Sequence, residues 1–227
     1  MTSRKIGTLR ESSLHAALKE WYVQPGDFIE RVVGGYVIDI VRGDLLVEIQ
    51  TGNFSSLREK LKVLLPEHQV RLVYPIAQEK WVCRKMPDGR LLGRRKSPRH
   101  GRIEDLFVEL SRIVKPAMHP NFSLEVLMVH SEDVWTDDGR GSWRRRGWSL
   151  SDRNLLTVQS REAFACPKDY LRLLPDLAEP FLTQDLAQAL RVSRAGAQKM
   201  AYCLREMGLI RVVGKQRNAL LYSILFK

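Results

Sequence analysis

The sequence predicts an α/β (α+β) protein, with a mixed-sheet core of element order αβββαβ followed by a second, smaller domain. Three observations predict it. Hydrophobic periodicity switches between helix and strand spacing several times within the first 76 residues. Gly34-Gly35 and Gly43-Asp44 separate short runs rich in Val and Ile, as two-residue hairpin loops do. Near residues 167–176 the rhythm changes to three helices and a hairpin, which divides the chain into residues 1–165 and 166–227.

The elements follow in order. In residues 9–22, Leu14, Ala17, Leu18, Trp21 and Tyr22 recur at helical spacing until Pro25-Gly26 ends the helix. Residues 28–33, 36–41 and 45–50 are the three strands. Residues 55–65 read as a helix with Leu57, Leu61, Leu64 and Leu65 inward, and after Pro66 the run 70–76 reads as a buried strand. Beyond it, residues 81–85 and 122–130 read as strands and residues 103–114 as a helix.

With 227 residues, 44% of them hydrophobic, the chain is long enough to bury a core. Its 37 Lys and Arg against 26 Asp and Glu give a net charge of +11, which favours a polyanionic partner, nucleic acid first. No apolar run approaches the roughly 18 residues of a membrane helix, and the opening Met-Thr-Ser-Arg-Lys-Ile-Gly lacks a signal peptide's apolar core. The expectation is a cytoplasmic protein without a membrane partner. Cys83, Cys166 and Cys203 are odd in number and far apart, which indicates neither a disulfide framework nor a zinc site.

Counting outward from the two turns places Glu30 opposite Asp39 and Asp39 opposite Glu48, so that three carboxylates line one sheet face, with Gln50 pointing the same way. Directly opposed like charges destabilise a sheet, and a hard divalent cation with oxygen ligands is the simplest counter-charge. The other face carries Ile29, Val33, Ile38, Ile40, Leu45, Val47 and Ile49, an apolar surface for a helix to cover. Asp is disfavoured inside strands, yet Asp39 stands in Val-Ile-Asp-Ile-Val, a local rule broken where chemistry explains it.

The segment Gly35-Tyr-Val-Ile-Asp39-Ile followed by Leu46-Val-Glu48-Ile-Gln50 resembles the Asp and Glu-x-Lys motif of the PD-(D/E)XK nuclease superfamily, the fold of many restriction endonucleases and Holliday-junction resolvases. The resemblance covers about the first third of the chain and implies Asp39 and Glu48 as ligands of Mg²⁺ or Mn²⁺, with Glu30 as a further ligand from the loop counting. Gln50 stands where the superfamily usually has lysine. Some restriction enzymes of this pattern use Glu-x-Gln, and in other members a lysine from the following helix takes over, for which Lys60 is the best-placed candidate. A helix-borne acid often completes such sites, and both Glu11 and Glu20 lie on the first helix; His15 between them is a candidate to support a ligand or contact phosphate. The implied reaction is hydrolysis of a DNA phosphodiester by metal-activated water. A P-loop is absent, so no nucleotide cofactor is expected.

The run 94–102 forms a dense basic loop, with Arg94, Arg95, Lys96 and Arg99 as candidate backbone clamps. Residues 137–148 interleave Trp143 and Trp148 with Arg144, Arg145 and Arg146, a pattern suited to gripping phosphates while an aromatic ring stacks on a base. The alternative is a wing-like loop anchored by its tryptophans. In the last third, Thr183 caps a helix over 184–190 and Ser193 a second one reaching about Met207, with Ala197, Met200, Ala201, Leu204 and Met207 inward and Arg194, Gln198, Lys199, Tyr202 and Arg205 outward. Strands 209–213 and 219–225 flank the basic tip 214–218, which carries Lys215 and Arg217. This resembles the winged helix-turn-helix, which implies a recognition helix for the major groove and a wing on the backbone. Two functions follow: a metal-dependent DNA endonuclease targeted by the winged helix, as a homodimer if both strands are cut, or a non-catalytic DNA-binding regulator on a nuclease-like fold. A nuclease acting on RNA is a third.

Overall fold

The two-residue turns set the first sheet, and the computed structural model describes them within residues 12–225, except Ser142, Arg146 and the side chain of Arg144. Gly34 and Gly35 adopt φ +57° and +81°, values that a side chain would strain. They join β1 (Phe28–Val33) to β2 (Tyr36–Arg42) with Val33 opposite Tyr36, and β2 pairs antiparallel with β3 (Leu45–Ile49) through Arg42 and Leu45. β3 then runs parallel to β4 (Gln69–Lys85), and β4 parallel to β6 (Phe122–Asp137), which pairs antiparallel with β7 (Trp148–Phe164). The order β1-β2-β3-β4-β6-β7, with β5 (Leu91–Lys96) on the far half of β4, makes a mixed seven-stranded sheet.

Helices cover both faces. Helix α1 (Ser13–Tyr22), capped by Ser12, lays Leu14, Leu18 and Tyr22 on Ile40, Val47, Ile49, Val73, Leu127 and Val129. On the other face α2 (Arg58–Leu64) and α3 (Leu106–Leu110) cover Leu46, Leu72, Leu124 and Val126. Each fully buried Leu or Phe contributes about 1.5–3 kcal/mol. The expectation of one core face and one open chemical face is thus corrected, since Leu46 is buried beneath α2. Ile29, expected in the core, is 51% exposed because β1 is the sheet edge.

The long strands differ from expectation. Residues 70–76 and 81–85 belong to one strand of 17 residues, β6 extends seven residues beyond His130, and the 17-residue β7 occupies residues for which no element was expected. Three register shifts between β6 and β7 interrupt the two-residue alternation, and β7 lies at the sheet edge, where polar side chains face solvent. Expected helices also shorten: residues 55–65 become a 3-10 turn and the seven-residue α2, and residues 103–114 a 3-10 turn and the five-residue α3.

At the C-terminal end a 3-10 segment, Pro167–Leu173, lies at the expected boundary, and two α-helices rather than three follow it among the described residues. It is followed by β8 (Phe181–Leu182), α4 (Thr183–Leu190), α5 (Arg194–Glu206), β9 (Ile210–Gln216) and β10 (Ala219–Ile224), the strands forming a sheet of order β8-β10-β9. Thr183 is the first residue of α4 rather than its cap; Asp185 accepts the Leu182 N–H at 2.8 Å instead. Ser193 does cap α5, accepting the Gly196 N–H at 3.1 Å. The hairpin tip is tighter than expected, a two-residue Arg217-Asn218 turn with Arg217 at φ +55°.

One core runs through both parts. Phe164 stacks on Tyr170 with ring centroids 4.7 Å apart, Tyr170 meets Phe107 of α3, and the Cys203 thiol of α5 donates to the Phe107 carbonyl at 3.9 Å. Among the described residues no helix is long and apolar enough to cross a membrane. Tyr170 is buried and its hydroxyl has no hydrogen-bond partner among the described residues, an arrangement that leaves a polar group desolvated. Tyr170→Phe is therefore expected to unfold at the same urea concentration as the parent or a higher one, and Tyr170→Ala to lose about 3–5 kcal/mol through the cavity it opens. Urea denaturation of the two variants checks both.

Candidate functional site

The site begins where β2 and β3 part. Their ladder ends at Ile40 opposite Val47, although the register, continued one step, sets Asp39 opposite Glu48 as the loop counting expects. In the fork the Asp39 carboxylate replaces the missing backbone partner: Oδ2 accepts the Ile49 N–H at 2.8 Å. Gln50, one residue on, donates its backbone N–H to the Val73 carbonyl at 2.9 Å and so keeps β3 on β4.

The two carboxylates meet counter-charges from different helices. Lys60 of α2 brings Nζ to 2.6 Å from Glu48 Oε2 and donates to the Val37 carbonyl at 2.7 Å. Oε2 is buried, and the Lys60 ammonium is the cation that meets it. His15 of α1 sets Nε2 3.3 Å from Asp39 Oδ2 and 3.0 Å from the Ile49 carbonyl. Burial, with the Asp39 charge adding to it, pushes the Glu48 carboxyl up to about 7 against the pull of Lys60. Burial acts on Asp39 too, yet hydrogen bonds from His15 and the Ile49 N–H hold that carboxyl below the usual carboxylate range. Asp39 is thus the group that keeps its charge, and Glu48 the one that takes a proton first.

Other expected residues lie elsewhere. Glu30 is opposite Asp39 in register, but its left-handed backbone, φ +54°, takes it out of the strand's alternation, and its carboxylate pairs with Lys19 at 2.7 Å. The expected row of three carboxylates is therefore not assembled, and among the described residues no three His, Cys, Asp or Glu side chains form a group that could hold a metal ion. Glu20 is exposed on α1, and Glu11 lies outside the described residues, so His15 is the α1 side chain at the fork. The Gln50 amide donates to the Gly52 carbonyl and reaches Ser56 Oγ at 3.5 Å.

The basic residues fall into two groups. Arg94, Arg95 and Lys96 form the exposed strand β5 rather than a loop, with Arg94 on Glu132 at 2.6 Å and Lys96 on Glu79 at 2.5 Å; Arg99 is exposed beyond it. Arg145 is exposed with its guanidinium 4.8 Å from the Trp135 ring centroid, whereas Arg146 and the Arg144 side chain lie outside the described residues. On α5, Arg194, Gln198, Lys199 and Tyr202 are exposed as expected, while Arg205 is half-buried and pairs with Glu206 at 2.9 Å. Lys215 and Arg217 are exposed on the β9–β10 hairpin. The sequence reading missed Arg84, which stacks on Trp148 at 5.1 Å, and the trio Lys80, Asp133 and Arg153; only the unrecognised length of β4, β6 and β7 brings these together.

Residues 12–165 match the model of a family described as a domain of unknown function, DUF8091. A protein of Treponema pallidum described as uncharacterized is 37% identical over 185 residues, covering 81% of this chain and 74% of its own length. No solved structure matches.

The raised Glu48 carboxyl has a measurable consequence. Because its folded value of about 7 exceeds the unfolded one near 4.5, its favourable contribution is complete below about pH 4.5 and is lost as pH rises through about 7. With chelator present, Glu48→Gln is expected to raise the Tm at pH 8.5 by about 3 °C or more, with the difference vanishing near pH 4.5. A series of thermal melts against pH reads this directly, and a difference independent of pH would refute it.

Proposed function

We propose that this chain, which belongs to the DUF8091 family, is a metal-dependent DNA endonuclease with a PD-(D/E)XK core and a C-terminal winged helix that holds the DNA. The observation that carries this reading is the pair Asp39 and Glu48 at a strand fork, one carboxylate charged, the other buried, and Lys60 2.6 Å from Glu48. The αβββαβ order, with β4 parallel to β3, supports it. The order β8, α4, α5, β9, β10 with an exposed face on α5 supports the winged helix.

The residues present fit a hard cation. Glu48 Oε2 is buried with Lys60 beside it, and no donor among the described residues reaches Asp39 Oδ1, so once Lys60 moves aside these carboxylates would hold Mg²⁺ or Mn²⁺. When bound, such an ion acidifies water and neutralises charge on the scissile phosphate. The chain's own residues do the rest. Asp39, held by the Ile49 N–H, gives the site a fixed negative charge, and Lys60 supplies the positive charge that Gln50 lacks. His15 orients Asp39 from α1. Arg194, Gln198, Lys199 and Tyr202 face the major groove, and Lys215 and Arg217 the backbone. The reaction belongs in the cytoplasm, where the positive charge of the chain meets DNA, and cutting both strands would take two copies.

A second reading, a DNA-binding regulator without turnover, is favoured by the Gln50 amide, which is committed to the Gly52 carbonyl. Metal-dependent cleavage separates the two. Plasmid, duplex and branched DNA incubated with Mg²⁺ or Mn²⁺ are expected to be cut, and with chelator to stay intact. Asp39→Ala and Glu48→Ala are expected to abolish cutting, and Lys60→Ala to slow it by about a hundredfold, while DNA binding in chelator changes little. Substrates intact in every metal would leave the regulator.

A further inference from the structure

The far half of the long strands carries a cluster that the cleavage site does not use. Val82 pairs with Arg95, Arg84 with Gly93 and Trp135, and Trp135 with Leu150, so Arg84, Arg95 and Trp135 share one sheet face; Trp148, opposite Asp137, joins them. Arg84 stacks on Trp148 at 5.1 Å and Arg145 on Trp135 at 4.8 Å. Arg84, Arg95 and Arg145 are exposed, and none has a carboxylate partner among the described residues. A cavity of about 290 Å³ is lined by Val82, Arg84, Arg95, Trp135, Arg145 and Trp148, and a neighbouring one of about 320 Å³ shares four of these residues. Among the described residues no acid lines either cavity.

We propose that this cluster binds an unpaired strand of nucleic acid, with bases on Trp135 and Trp148 and phosphates on Arg84, Arg95 and Arg145. Free guanidinium groups without acids select phosphate, and flat rings beside them select the faces of bases. In a duplex those faces are hidden by stacking, whereas unpaired bases expose them and can enter hollows of this size. A sheet face of aromatic and basic side chains is a stacking platform rather than a groove reader.

The cluster stands in line with the fork. From Val73, which accepts the Gln50 N–H, to Arg84 is eleven residues of one strand, about 36 Å, or roughly one turn of duplex. Between them lies a third cavity, about 210 Å³, lined by Leu14 and Thr51, neighbours of His15 and Gln50, and by Lys80, Ser131 and Arg153. The Ser131 hydroxyl there is buried and has no partner among the described residues, and Lys80 and Arg153 share one carboxylate, Asp133. Asp105 also lines this cavity. Binding stands on the cluster alone; that the bound strand leads to the scissile phosphate rests on the nuclease reading above.

The test uses the full chain in chelator, so that no turnover is needed. Fluorescence anisotropy compares a blunt duplex with the same duplex bearing a tail of about 12 unpaired nucleotides. The tail is expected to tighten binding about tenfold or more and to quench tryptophan emission. Arg84→Gln with Arg95→Gln, both at exposed positions, is expected to erase that gain and leave the blunt duplex bound as before; Trp148→Leu is expected to reduce the quench. Equal affinity of the parent for both DNAs would overturn the proposal. So would a double variant that keeps the gain, or one that weakens both DNAs alike, which would mark a general phosphate patch. Intact DNA in the cleavage assay with a preserved tail gain would sink the nuclease reading and leave this site standing.

Discussion

Strands β2 and β3 separate after Ile40 and Val47, and the Asp39 carboxylate takes the Ile49 N–H that would otherwise be left without a partner. Everything at the site depends on that hydrogen bond. It holds an acid inside a fork between apolar strands, where a second acid, Glu48, stands one register step from it. Two carboxylates so placed repel, and burial raises the cost; the protonation of Glu48 near pH 7 and the contacts of Lys60 and His15 are how the fold tolerates them without metal. A cation would relieve the same repulsion more completely.

The long strands place that fork in a larger surface. β4 carries residues of the core at one end, the Lys80 pair in its middle and Arg84 at the other end, so a single strand sets the spacing between them. β6 and β7 run beside it over their whole length and hold that spacing. At the opposite side of the core, α5 buries Cys203 against α3 and leaves Arg194, Gln198 and Tyr202 exposed, so a basic helix is fixed to the same body as the fork. A protein with a net charge of +11 thereby presents its cations on more than one face.

Much of the fork was legible in the sequence because two-residue turns fix register, and register fixes which side chains are opposed. Asp39 announced itself as a charged residue inside an apolar strand, and Lys60 as a lysine on the next helix. Glu30 was misplaced because nothing in its neighbours signals a left-handed backbone; Glu is an unusual residue for φ +54°. Glu11, His15 and Glu20 stayed open because a helix period alone does not say which polar residue borders the sheet; Glu20 is exposed, and His15 borders the fork. β7 was illegible because bulges break its alternation and its polar residues face water at an edge. With it went the Arg–Trp cluster, whose members are far apart in sequence and meet only across β4, β5, β6 and β7.

The divalent metal proposed for the fork would rest on Asp39 and Glu48. Anomalous diffraction from crystals soaked in Mn²⁺ at a pH above 7, where Glu48 has lost its proton, addresses it most directly. The expected result is an anomalous peak within about 2.0–2.3 Å of one oxygen each from Asp39 and Glu48, with Lys60 moved off Glu48. Crystals that bind Mn²⁺ elsewhere, or not at all, with the Lys60–Glu48 contact intact would contradict it.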